Sequence, residues 1–160
     1  MNRILHFYDY EKSYRHYAER IVNINQAKIR GEVIVAKPVL LLALIDGIEK
    51  GVFGGNRFVL NEWLEERYNA LMRQYTKDSQ FDAPSPISNP FWHLATDGFW
   101  HLQLKEKPAG KATPSTAWLR KNVEFARFDE DLWVLLQNRE WRMKMRDFII
   151  ERKLRGTNEE

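Results

Sequence analysis

The sequence predicts a mainly α-helical α+β domain with one small antiparallel β-hairpin or sheet, 160 residues in a single compact unit. Three observations carry this. Apolar and aromatic residues recur at spacings of three and four along several segments, the period of a helix with one buried face. Asp97-Gly98 stands between two aromatic-rich runs, Phe91–Leu94 and Phe99–Leu102, which are copies of the same tetrapeptide. Such a dipeptide suits a two-residue hairpin turn, whose central residues both need positive φ. Finally, no Pro/Gly/Ser-rich or charge-rich linker divides the chain, and the length is enough for one core.

Taken in order, Met1–Tyr8 reads as a short strand or arm. Tyr10, Tyr14, Tyr17, Ile21 and Ile24 mark an amphipathic helix over about Tyr10–Ile29, closed by Gly31. The tyrosine stripe fits a core face, with a base-stacking platform as the alternative. Glu32–Ala36 reads as an extended link. Lys37-Pro38 opens a second helix with Pro38 at the first helical position, where its missing N–H costs nothing. Val39–Ile45 is apolar all round, so this helix should be central. Gly51 suits its C-cap. Arg57–Leu60 reads as a short strand, and Asn61 caps a third helix to about Tyr75 with Leu64, Tyr68, Leu71 and Tyr75 inside. Thr76–Ser88 is a loop leading to the hairpin. Lys105–Pro114 is a basic loop, and Val123, Phe125 and Phe128 suggest a strand beside the hairpin. Asp129 caps a short helix, Glu130–Leu136. Asn138 starts the last one, to about Leu154, with Trp141, Met145, Phe148, Ile149 and Arg152 buried.

Composition narrows the class. Cysteine is absent, which removes disulfides, thiolate metal sites and a cysteine nucleophile, and fits a reducing, cytoplasmic setting. No apolar signal core or membrane-length run occurs, so no membrane partner is expected. The net charge of +3 is mild, but its distribution is uneven. Lys105–Lys121 holds five basic residues against one acid, and Arg139–Arg155 seven against three. Concentrated basic segments are compatible with nucleic acid; a solvated surface is the alternative.

No catalytic or metal site is expected, and no cofactor. His6, His16, His93 and His101 have no metal-helix spacing, and no nucleophile motif accompanies them. His93 and His101 fall on opposite faces of the expected hairpin. The Asp129–Glu130–Asp131 trio sits where a helix start favours acids, so capping explains it.

Lys37-Pro38-Val-Leu-Leu-Leu-Ala, together with Asn89-Pro90-Phe91-Trp92-His93-Leu94 and Asp97-Gly98-Phe99-Trp100, resembles the N-terminal DNA sulfur-binding domain of McrA-type, phosphorothioate-dependent HNH restriction endonucleases. Asp129–Asn138 resembles the helix that closes that domain. The resemblance implies a mostly helical module reading a backbone linkage in which sulfur replaces one nonbridging oxygen. It implies a shallow, largely nonpolar pocket with Ala36, Lys37 and Pro38 on one wall and Asn89, Pro90 and His93 on the other. Asn89 stands where family members commonly carry Tyr, Lys37 where they carry Arg, and His93 where they carry a small residue or Arg. An HNH nuclease usually follows the domain; here the chain is expected to be the DNA-binding module alone, over residues 1–160, and not itself an enzyme.

The expected function is therefore a DNA-binding module of a restriction or defence system, with double-stranded DNA, in particular phosphorothioated DNA, as partner. Lys37 and its helix N-terminus would meet the backbone. Arg57, Lys105, Lys107 and Lys111 are further DNA-contact candidates. The alternative is an interaction subunit docking a separate nuclease or helicase through the arginine-flanked last helix.

Overall fold

The computed structural model describes residues 8–77 and 85–155. Most of the Met1–Tyr8 arm and of the Thr76–Ser88 loop lies outside the described residues. The α+β expectation holds: helices dominate, and two antiparallel two-stranded sheets accompany them.

Helix α2 (Ala36–Lys50) is the axis of the domain. Val39 to Ile45 are all buried, and helices α3 (Glu62–Tyr75), α4 (Ser88–His93), α6 (Glu130–Gln137) and α7 (Arg139–Ile149) pack around it. An apolar sequence with no polar face can be stable only in such a position. Gly51 closes α2 in the left-handed conformation, φ 73°. Helix α1 (Tyr10–Val22) lies across α6 and α7 and buries Tyr17, Ala18 and Ile21; of the tyrosine stripe Tyr17 belongs to the core, while Tyr10 and Tyr14 are half-buried against Trp141. The caps at Asn61 and Asn138 form as expected, their side chains accepting from the Leu64 and Trp141 N–H at 2.8 and 3.2 Å.

Six expectations are corrected. Helix α1 stops at Val22, and Lys28–Ile29 (β1) pairs with Glu32–Val33 (β2). The two-residue turn between these strands, Arg30-Gly31, has φ 54° and 83°. Among the described residues the two-residue hairpin turn is thus here and not at Asp97-Gly98, where Gly98 alone has positive φ.

The first Phe-Trp-His-Leu copy is not a strand. It belongs to α4 and a following 3-10 turn, Leu94–Asp97. Pro90 sits in the first turn of α4, where no N–H is needed, and Ile87, Phe91 and Leu94 bury one helical face. The second copy starts strand β3 (Trp100–Leu104), which pairs with β4 (Val123–Phe128), the strand expected beside it. Trp100 links the two copies: its indole Nε1 donates to the Phe91 carbonyl at 2.9 Å.

Arg57–Leu60 forms only a single bridge, Phe58 with Ala126. Asp129 does not cap α6; its carboxylate is drawn off to Tyr17 and His101. On the last helix Arg142 is buried and Arg152 exposed, and residues Ile150–Arg155 widen into a π-helical turn.

Phe58, Phe91, Phe99, Trp100 and Phe128 form a buried aromatic cluster between β3, β4 and the helices. Phe91 meets Trp100 edge-on with ring centroids 5.4 Å apart, a favoured arrangement. This cluster fixes α4 against the sheet and so sets the position of Asn89, Pro90 and His93.

Candidate nucleic-acid interface

The site is built where α2 begins. The N–H groups of Ala36 and Lys37 lie in the first turn and have no intrahelical acceptor; Pro38, buried, has no N–H. The turn therefore carries partial positive charge. Lys37 adds a full one, but the ammonium is held: Nζ donates to Asp97 Oδ2 at 2.7 Å, with the two side chains only 12% and 5% exposed. The other Asp97 oxygen accepts from the Asn25 backbone N–H at 2.9 Å. One carboxylate thus joins the end of α1's connecting loop, the start of α2 and the end of the α4 turn. Arg20 of α1 completes this junction by donating to the Asp97 carbonyl at 3.2 Å. Gly98 makes room for it: φ is 94°, and a Cβ there would run into the Arg20 guanidinium.

Beside this junction opens a cleft of about 400 Å³. Ala36 and Lys37 line one side; Asn89, Pro90 and His93 line the other. Five of the six residues singled out for the pocket, from segments about fifty positions apart, thus share one cavity. Pro38 stands outside the lining, buried in the first turn of α2. The β1–β2 hairpin supplies a third wall with Ile29 and Ile34, and Gln26 braces it by donating to the Ile34 carbonyl at 3.0 Å. Ile29 is 45% exposed, so the rim presents apolar surface to solvent. His93 is exposed, and its Nε2 lies 2.7 Å from Thr113 Oγ1.

The remaining DNA-contact candidates do not line this cleft. Arg57 is exposed and lies over the Phe125 ring, 4.5 Å from its centroid. Lys105, Lys107 and Lys111 are exposed on the segment between β3 and α5 (Thr116–Asn122), whose far end is tied to His93 through Thr113.

Sequence reasoning missed Asp97, Gln26, Ile29 and Ile34. Asp97 carried a signal, an acid next to Gly, but turn chemistry explained it locally. His93 and His101 are separated by their partners rather than by hairpin faces. His101 Nε2 is 2.6 Å from Asp129 Oδ1, and Tyr17 donates to the other oxygen at 2.9 Å. Burial first, then the Asp129 carboxylate beside it, push the Tyr17 hydroxyl well above the usual phenol range. Among the described residues no group of three or more His, Asp or Glu is placed to hold a metal ion, and no helix is long and apolar enough to cross a membrane.

The helical scaffold thus sets an apolar cleft beside a held lysine and a helix N-terminus, with a lysine-bearing loop attached to its wall. The chain belongs to the ScoMcrA-like DNA sulfur-binding domain family, whose sequence model matches residues 15–160. Two solved structures share the fold. The sulfur-binding domain of ScoMcrA, complexed with phosphorothioated DNA, is 19% identical with a TM-score of 0.60, over 85% of each chain. That of SprMcrA, also complexed with phosphorothioated DNA, is 16% identical with a TM-score of 0.59, over 86% of this chain and 83% of the other. No curated protein matches the chain.

Proposed function

We propose that this domain reads a phosphorothioate linkage in double-stranded DNA, with Ala36, Lys37, Asn89, Pro90 and His93 around the sulfur and Pro38 shaping the wall from behind. The observation that carries the reading is the shared cleft itself: two distant segments meet around one apolar recess with an ammonium at its edge. Sulfur is larger, softer and less strongly hydrated than oxygen. Proline ring carbons and methyl groups suit it, while the linkage keeps its negative charge for Lys37 and the N–H groups of α2. Lys37 is a point charge without the planar fork of arginine, so it fixes charge rather than orientation. Arg57, Lys105, Lys107 and Lys111 serve as backbone contacts, each adding to the salt dependence. The domain itself binds without cleaving, and a nuclease, in the same cytoplasmic setting, cuts the DNA that it marks.

The test is a titration of one short duplex, with and without a single Rp phosphorothioate, at two salt concentrations. A preference for sulfur of tenfold or more, about 1.4 kcal/mol, is expected, on top of salt-sensitive binding to both duplexes. Equal affinity for the two would remove the sulfur assignment and leave a general DNA module.

A further inference from the structure

We infer that Thr113 is a positioning residue that latches the basic loop to the wall of the cleft, so that engagement of the modified linkage and of neighbouring phosphates is coupled. The inference rests on the reading above and adds a residue and a linkage to it. Its basis is how little else holds the loop. Residues 105–107 and 109–112 are exposed, with only Pro108 half-buried among them. At one end the Lys105 N–H donates to the Asn122 carbonyl at 2.7 Å, anchoring the loop to the end of α5. At the other, Pro114 is buried and Ser115 caps α5, accepting from the Trp118 N–H at 3.1 Å. Between these ends, among the described residues, the loop makes one side-chain hydrogen bond to the body, Thr113 Oγ1 to His93 Nε2 at 2.7 Å.

That bond has two consequences. His93 is the last residue of α4 and lines the cleft, yet it is exposed, so nothing in the core fixes its ring. The Thr113 hydroxyl fixes one ring nitrogen and thereby decides which way the other points, as a hydrogen-bonded partner does for any imidazole. A ring so held makes a defined wall for a ligand rather than a mobile one, and pre-organisation reduces the ordering cost of binding. In the other direction, Lys107 and Lys111 reach the backbone from a loop whose position depends on His93. Anything that moves His93 on binding moves the lysines, and phosphates gripped by the lysines hold His93 in place.

Removing the hydroxyl while keeping the shape separates this latch from simple packing. Thr113→Val is expected to weaken binding to the phosphorothioated duplex by about two- to tenfold, the range for losing one such bond. Binding to plain DNA should fall less, and the salt dependence should become shallower. Thr113→Ser keeps the hydroxyl and should restore affinity. His93→Ala should cost as much as, or more than, Thr113→Val, and the double variant no more than His93→Ala alone, since both break one linkage. Thermal melting of each variant reports whether the fold is intact. Wild-type affinity and salt slope in Thr113→Val, failure of Thr113→Ser to restore binding, or full additivity in the double variant would each overturn the latch while leaving the DNA reading in place. A wild-type domain that bound neither duplex would sink that reading and the latch with it.

Discussion

The two ends of α2 are built on opposite terms. Its C-terminal half is locked by charge. Asp46 pairs with Arg67 of α3 and Arg146 of α7, and Glu49 with Arg139 and Arg142. Arg142 is buried and spans both partners, donating from Nε to Glu49 at 2.9 Å and from Nη1 to the Leu136 carbonyl at 2.8 Å. The hydrogen bonds from Arg142, and then from Arg139, hold the Glu49 carboxyl below the ordinary glutamate range. The N-terminal end has one ion pair, Lys37–Asp97, beside an open apolar cleft. The C-terminal end of the central helix is thus cross-linked to two neighbouring helices, whereas at the other end Lys37 is already paired and the unshared positive charge is that of the first-turn N–H groups. On the proposed reading, those N–H groups are what a backbone anion would meet first.

Three substitutions sharpen this contrast, from the largest effect to the smallest. Arg142→Ala removes a buried fork and leaves the Leu136 carbonyl without its donor. It should lower unfolding free energy by about 2 kcal/mol, measured by urea denaturation, while the folded fraction binds DNA as before. A changed sulfur preference in that variant would mean that the two ends of α2 are not independent. Pro90→Ala removes ring carbons from the cleft wall but keeps a helix-compatible backbone. Sulfur selectivity should fall by about 1 kcal/mol, roughly fivefold, with little change in stability or in binding to plain DNA. Equal losses on both duplexes would separate the cleft from sulfur reading. Asp97→Asn keeps an acceptor for the Asn25 N–H and releases the Lys37 ammonium. Binding to plain DNA should strengthen by a few fold, and the slope of log affinity against log salt should steepen by up to about 0.9. An unchanged slope would show that Lys37 makes no phosphate contact.

The sequence was most legible where one local rule decided the outcome. Val39–Ile45 could only be a buried helix, and Asn61 and Asn138 announced the helices they cap. It was least legible where a residue's partner is distant. Asp97-Gly98 satisfies the hairpin rule, but the Asp97 carboxylate bonds Lys37 and the Asn25 N–H, sixty and seventy-two positions away. Asp129 likewise has the composition of a cap, and serves Tyr17 and His101 instead. The duplicated Phe-Trp-His-Leu shows the same limit within four residues. Pro90 and the spacing of Ile87, Phe91 and Leu94 put the first copy in a helix, whereas β4 draws the second into a strand. As for the cleft, the resemblance brought both principal walls into view. The third, at Ile29 and Ile34, depends on a two-residue turn at Arg30-Gly31 that helical periodicity had concealed.

The fit of Arg20 against Gly98 bears on how sequences of this family can drift. Any side chain at position 98 would need both a left-handed backbone and the space that the guanidinium fills. Of these two demands the backbone is the stiffer, because the guanidinium is the far end of a flexible side chain and can swing aside. A relative that has lost the glycine would therefore keep an arginine at position 20 only by turning it away from the Asp97 carbonyl, seventy-seven residues along the chain, and that carbonyl would then need another donor.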